Sequence, residues 1–153
     1  MCCPERCKHR EQKAAEVLVV RADLVDAILA HARRDHPDEA CGVLAGPQGS
    51  DRPHRHIPMT NAERSPTFYR FDSGEQLAVW QEMEGAGEVP VVIYHSHTAT
   101  DAYPSRTDID LAAEPAAHYV LVCTRDPDRD ELRSYRIIAG AVTEEPVNVV
   151  GRY

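Results

Sequence analysis

Apolar positions along this chain change spacing repeatedly, and each change marks an element. Val17 to Val20 is a short apolar run that reads as a strand. Asp23 then reads as the cap of a helix with Leu24 and Ile28, joined by Ala27 and His31, on one face; it stops before Pro37. Cys41 to Ala45 reads as a buried strand, Gly46 to Pro53 as a turn-rich loop, and residues 56–60 and 68–71 as further strands. Ser73 opens a second helix over 74–84, closed by Gly85-Ala86-Gly87. Val89-Pro90-Val91-Val92-Ile93-Tyr94 is continuous and β-branched, the pattern of a strand covered on both faces, and it runs straight into His95-Ser96-His97. Residues 104–113 suit a third short helix, and 118–124, 132–138 and 141–147 suit strands. Strands interleaved with helices and closing in hairpin-like strands predict an α/β sandwich with a mixed β-sheet flanked by helices. Residues 1–16 show almost no apolar periodicity, so they are expected to form a flexible tail ahead of one domain over 17–153.

Charge and cysteine usage narrow the function classes. The 153 residues carry 17 Lys+Arg against 25 Asp+Glu, a net charge of −8, which gives no electrostatic basis for following a nucleic-acid backbone or an anionic membrane face. No apolar stretch approaches the ~20 residues needed to cross a bilayer, and the N-terminus lacks the apolar core of a secretory signal, so a cytoplasmic protein is expected. Three of the five cysteines (Cys2, Cys3, Cys7) crowd the N-terminus, while Cys41 and Cys123 lie far apart in apolar surroundings. That is no disulfide framework, and with His9 the N-terminal three match no paired metal-ligand spacing.

The candidate chemistry lies at the end of the Val89–Tyr94 strand. Residues two apart in an extended segment face the same side, so His95 and His97 present two imidazoles to one small volume. Ser105 and Asp108 follow at the expected start of the third helix, from which a carboxylate can fold back towards the strand end. Two imidazoles and a carboxylate suit Zn²⁺, and three protein ligands leave a fourth tetrahedral position for water. Each part also has a bland reading. Ser105 with Asp108 is equally a helix capping box, and His54-Arg55-His56 repeats the His-x-His spacing in a proline-bracketed loop with no partnered acid.

The joint pattern His-Ser-His, seven residues, Ser, two residues, Asp resembles the JAMM motif of the MPN-domain metalloproteases (Mov34/PAD-1, JAB1-like). The resemblance implies the MPN sandwich, related in architecture to that of cytidine deaminase. It implies one Zn²⁺ on His95, His97 and Asp108, with Ser105 stabilising the oxyanion. Prokaryotic members carry Glu-x-x-Gly-x-Leu-x-Gly, which Glu39-Ala40-Cys41-Gly42-Val43-Leu44-Ala45-Gly46 fits, so Glu39 is implied as the general base. Thr98 stands where many members have proline. With Asn61 to Tyr69 and Ala102 to Asp108, this narrows the resemblance to actinobacterial peptidases acting on a cysteine-bearing sulfur carrier, CysO. What that subgroup implies is a cysteine-forming route. A ubiquitin-like carrier ending in Gly-Gly bears cysteine in amide linkage, and hydrolysis releases the amino acid; Arg106 or Arg70 would meet its carboxylate.

Three other readings compete. A catalytically silent MPN scaffold would lack part of the ligand set, and all five residues are present. A zinc deaminase needs His-x-Glu with Pro-Cys-x-x-Cys, which this chain does not contain. A general deconjugase acting on isopeptide bonds or other ubiquitin-like tails shares the same motif, so the motif alone does not separate it.

Overall fold

The computed structural model describes residues 17–153. The proposed tail, with Cys2, Cys3, Cys7 and His9, lies outside the described residues. In chain order the elements are β1 (Leu18–Arg21), α1 (Ala22–Asp35), β2 (Cys41–Pro47), β3 (Arg55–Met59), α2 (Ser73–Gly85), β4 (Glu88–His97), α3 (Arg106–Leu111), β5 (His118–Cys123), β6 (Glu131–Ile138), β7 (Ala141–Glu145) and β8 (Val147–Val150). Six strands form one sheet in the order β3-β2-β4-β5-β6-β7, and β1 pairs with β8 in a separate two-stranded sheet. Within the large sheet β4 runs parallel to β5 and antiparallel to β2, and the remaining pairs are antiparallel. The expected mixed sheet between helices is the observed architecture. No described helix is long and apolar enough to cross a membrane.

Alternation along β4 divides the core. Val92 and Tyr94 face a cluster with Leu24, Ile28 and Ala32 of α1, together with Leu18 and Val20 of β1. Ile93 faces the other way, towards Ala102, Tyr119, Leu121 and Tyr135. A third cluster joins Cys41, Val43 and Ala45 to Met83 of α2. Burying side chains such as Leu24 and Ile28 contributes about 1.5–3 kcal/mol each, which fixes α1 across the back of β4.

Several boundaries differ from the sequence reading. The N-cap of α1 is Arg21, without a side-chain cap hydrogen bond. Asp23 sits inside the first turn instead, where it accepts from Arg21 Nε at 2.9 Å and complements the helix dipole. Residues 68–71 form no strand; only an Asn61–Phe71 bridge is made. The Asn61 side chain replaces a partner strand, donating to the Phe68 carbonyl (3.0 Å) and accepting from Arg70 N (3.2 Å). The run 141–147 is broken at Pro146, which lacks the N–H to continue a ladder, so β8 leaves for the β1 sheet. The third helix is shorter than expected and begins after Ser105.

Candidate metal centre

The carboxyl end of β4 is where this fold gathers polar side chains. β4 has an antiparallel neighbour on one side and a parallel one on the other, and the chain leaves it through residues 98–105 and α3 before returning as β5. In open α/β sheets, crevices at such strand ends are the usual ligand sites. His95 and His97 are buried there on one side of the strand.

Their Nε2 atoms lie 3.2 Å apart, and Asp108 Oδ2 is 3.1 Å from each. Three ligands of a tetrahedral ion bound at about 2.0–2.1 Å are separated by about 3.3 Å, so this triangle is close to that of a small cation's first shell. The donor atoms of His95, His97 and Asp108 form the one metal-competent group found among the described residues. His97 Nδ1 donates to the Asp101 carbonyl at 2.8 Å. That bond holds the proton on Nδ1 and leaves the Nε2 lone pair facing the centre. The ring of His95 stacks on Tyr69, with centroids 4.3 Å apart.

Asp108 serves the helix and the centre together. Ser105 Oγ accepts from Asp108 N (3.1 Å) while Ser105 N donates to Asp108 Oδ2 (2.8 Å), a complete capping box. The oxygen that closes the box is the one facing both imidazoles, so capping the helix does not take Asp108 away from the two histidines. Because Ser105 Oγ accepts within the cap, its hydrogen remains free to donate outward.

The electrostatics follow from burial and contact. Burial holds His95 below the usual imidazole range, towards the neutral ligand form. For His97 burial acts the same way, but hydrogen bonds to Asp108 and Asp101 outweigh it and raise its pKa. Burial would raise Asp108, yet hydrogen bonds from His95 and His97 overcome it and keep the carboxyl well below its usual range.

Glu39 arrives from the segment between α1 and β2. It is 5% exposed, and burial pushes its carboxyl up to about 7, with His97 opposing and Asp108 reinforcing the shift. The structure thus brings Glu39 into the electrostatic field of His97 and Asp108. Its backbone is tied at three points: Glu39 N donates to the Ser65 carbonyl (2.9 Å), Asn61 Nδ2 donates to the Glu39 carbonyl (3.1 Å), and the next residue's N–H donates to Ser96 Oγ (2.8 Å). Thr98 Oγ1 donates to the Pro66 carbonyl at 2.8 Å, fastening the same segment to the strand end. Sequence reasoning did not find Asn61 and Ser96 as supports. Each is a buried polar residue whose partner lies 22 or 56 positions away, and local spacing carries no signal of it.

The control pair stays away from the centre, though not as expected. His54 does have an acid, its Nε2 donating to Glu88 Oε2 at 2.6 Å, and His56 is in β3 rather than a loop, 2.8 Å from Tyr94 Oη. Tyr94 also meets His31 Nδ1 at 2.6 Å, and His31 Nε2 lies 3.0 Å from Asp35, a chain on the α1 side of β4.

Comparison with known proteins gives consistent matches. Residues 21–138 match the family described as prokaryotic homologs of the JAB domain. A protein named CysO-cysteine peptidase from Mycobacterium tuberculosis is 82% identical over 137 residues, covering 90% of this chain and 94% of the relative. A desampylase from Haloferax volcanii is 38% identical over 114 residues, 71% of this chain and 81% of that protein. The solution structure of a protein from Desulfitobacterium hafniense superposes with a TM-score of 0.75 at 32% identity, covering 88% of this chain and 92% of that one. With a matched sandwich, a strand-end His-x-His and an α3 aspartate closing the triangle, this chain belongs to the prokaryotic JAB-domain family.

Proposed function

We propose that this protein is a zinc-dependent metallopeptidase. It hydrolyses the amide bond between the C-terminus of a ubiquitin-like sulfur carrier and cysteine, releasing free cysteine. The observation that carries this reading is the 82% identity, over nearly the whole of both chains, to a protein named CysO-cysteine peptidase. The family is metal-dependent, and two imidazoles with one carboxylate are the donor set of catalytic zinc sites. His95, His97 and Asp108 would hold the ion, which when bound supplies a Lewis acid for the carbonyl oxygen and a more acidic water.

The chain's own groups then divide the work. Glu39, poised near neutrality by its burial, accepts the attacking water's proton and passes it to the departing nitrogen. Ser105, with its hydrogen free, donates to the oxygen that gains charge as the carbonyl carbon becomes tetrahedral. His97 is kept in its ligand tautomer by the Asp101 carbonyl, and Asn61, Ser65 and Ser96 keep Glu39 at its post.

Substrate choice rests on the walls. The connection from β4 to α3 is short and pinned, since Cys123 Sγ donates to the Thr100 carbonyl (3.2 Å) and Tyr135 Oη to that of Ala102 (2.5 Å). It offers no insertion to hold a second folded ubiquitin-like module, which favours a leaving group of one amino acid. Similarity to a desampylase supports the second reading, a deconjugase acting on other ubiquitin-like conjugates. Mass spectrometry separates them. Incubation with a carrier ending in Gly-Gly-Cys is expected to remove one cysteine residue, whereas an intact adduct beside cleaved isopeptide-linked conjugates would establish the deconjugase instead.

A further inference from the structure

Glu39, which lies in the field of His97 and Asp108, also lines a cleft of about 430 Å³, a volume ample for an amino acid. None of the three ligand residues lines it. Its walls include Arg34, Asp35, Asp38, Pro58, Met59 and Arg64. We propose that this cleft receives the leaving group and that Arg64 binds the α-carboxylate of the amino acid being released, an inference that rests on the peptidase reading above.

The geometry of proton transfer sets the direction. Hydrolysis adds water to the carbonyl carbon, breaks the C–N bond, leaves a carboxylate on the carrier and protonates the departing nitrogen. Glu39 delivers that proton, so the departing residue sits on the Glu39 side, and this cleft shares Glu39 as a wall. A C-terminal residue carries its carboxylate one carbon from the scissile nitrogen, so a cation has to stand beside the base. Arg64 lines the same cleft as Glu39, and its backbone belongs to the segment that holds Glu39: it adjoins Ser65, whose carbonyl accepts the Glu39 N–H at 2.9 Å, and its own N–H donates to the carbonyl of Asn61, the residue that grips the Glu39 carbonyl.

The other candidate cations are paired or lie outside the cleft. Arg34 lies 3.5 Å from Asp35, and Asp35 also meets His31. Arg70, a sequence candidate, is paired with Glu63 at 2.9 Å, and neither it nor Arg106 lines the cleft. Among the described residues Arg64 makes no ion pair, and its φ of 44° is a conformation few arginines adopt. Pro58 and Met59 give a short side chain an apolar wall. Asp38, also in the lining, offers a carboxylate to the ammonium formed when the nitrogen departs, so the cleft carries both signs of charge that a released amino acid would meet.

The test compares a carrier ending in Gly-Gly-Cys with the same carrier ending in cysteine carboxamide, using the full chain and its zinc. The wild-type protein is expected to favour the free acid by about 10- to 100-fold in kcat/KM, a loss typical of one charge-assisted hydrogen-bonded pair. Arg64→Gln should raise KM for the acid by a similar factor, leave the amide almost unaffected and retain full zinc. Arg64→Lys should recover part of the preference. Equal cleavage of acid and amide by the wild type, or an equal loss on both in Arg64→Gln, would overturn the subsite while leaving the peptidase reading intact. Cleavage of neither substrate by the wild type would overturn both.

Discussion

Burial penalises the charged form of Glu39 and pushes its carboxyl up to about 7, and the proposed general base acts in that charged form. kcat/KM is therefore expected to rise with pH through about 7 as the carboxylate appears. Glu39→Gln should keep fold and metal but lose about 10²–10⁴ in rate. A stability change should accompany it. The folded chain holds this proton more tightly than the unfolded chain. The resulting stabilisation is complete below about 4.5 and is lost as pH rises through about 7. Removing the charge should stabilise the metal-free protein at pH 8 by up to about 3 kcal/mol, read by urea unfolding. Equal stability of the two proteins at pH 8 would show that Glu39 carries no such penalty. At this scale the sequence was legible where residues are gathered within one strand, one loop and one helical turn: His95, His97 and Asp108 come together, and Ser105 caps the helix that carries Asp108. Glu39 was reached only through a family resemblance, since it comes from another part of the chain. Asn61 and Ser96 were not reached at all.

Among the elements, β2 and β4 must lie close for Glu39 to face the histidines, and Gly42 permits it. A Cβ at Gly42 would sit 2.4 Å from Tyr94 Oη and 2.6 Å from Cζ, against a side chain that is fully buried. Gly42→Ala is expected to cost about 1–3 kcal/mol by overpacking. At roughly 2–4 °C per kcal/mol, that lowers the melting temperature by about 2–12 °C. Differential scanning calorimetry checks this, and an unchanged midpoint would mean that Tyr94 can move aside. The long runs were readable: α1, α2 and β4 are where periodicity put them, because each buries one face or both. The failures have local causes. An asparagine side chain satisfied the backbone of residues 68–71, an arginine rather than an aspartate preceded α1, and a proline split the last run in two.

At the scale of the whole molecule, β8 returns to pair with β1, register Leu18 to Val147 through Arg21 to Val150, and closes the layer behind α1. Tyr153 reinforces the closure, its Oη donating to the Pro53 carbonyl at 2.6 Å. Ending the chain after Pro146 would strip β1 of its only strand partner among the described residues and expose Leu18 and Val20, each 1% exposed in the intact fold. A fall in melting temperature above about 10 °C is expected from the lost burial, and a change below a few degrees would show that β8 is dispensable. No local pattern announced this pairing, because it joins strands more than 120 positions apart. The sandwich exists to hold one triangle of donor atoms at a strand end, and elemental analysis addresses that triangle directly. The purified protein is expected to carry one zinc per chain, largely lost in His95→Ala and Asp108→Ala and retained in His54→Ala and Glu39→Gln; full zinc in Asp108→Ala would contradict the account.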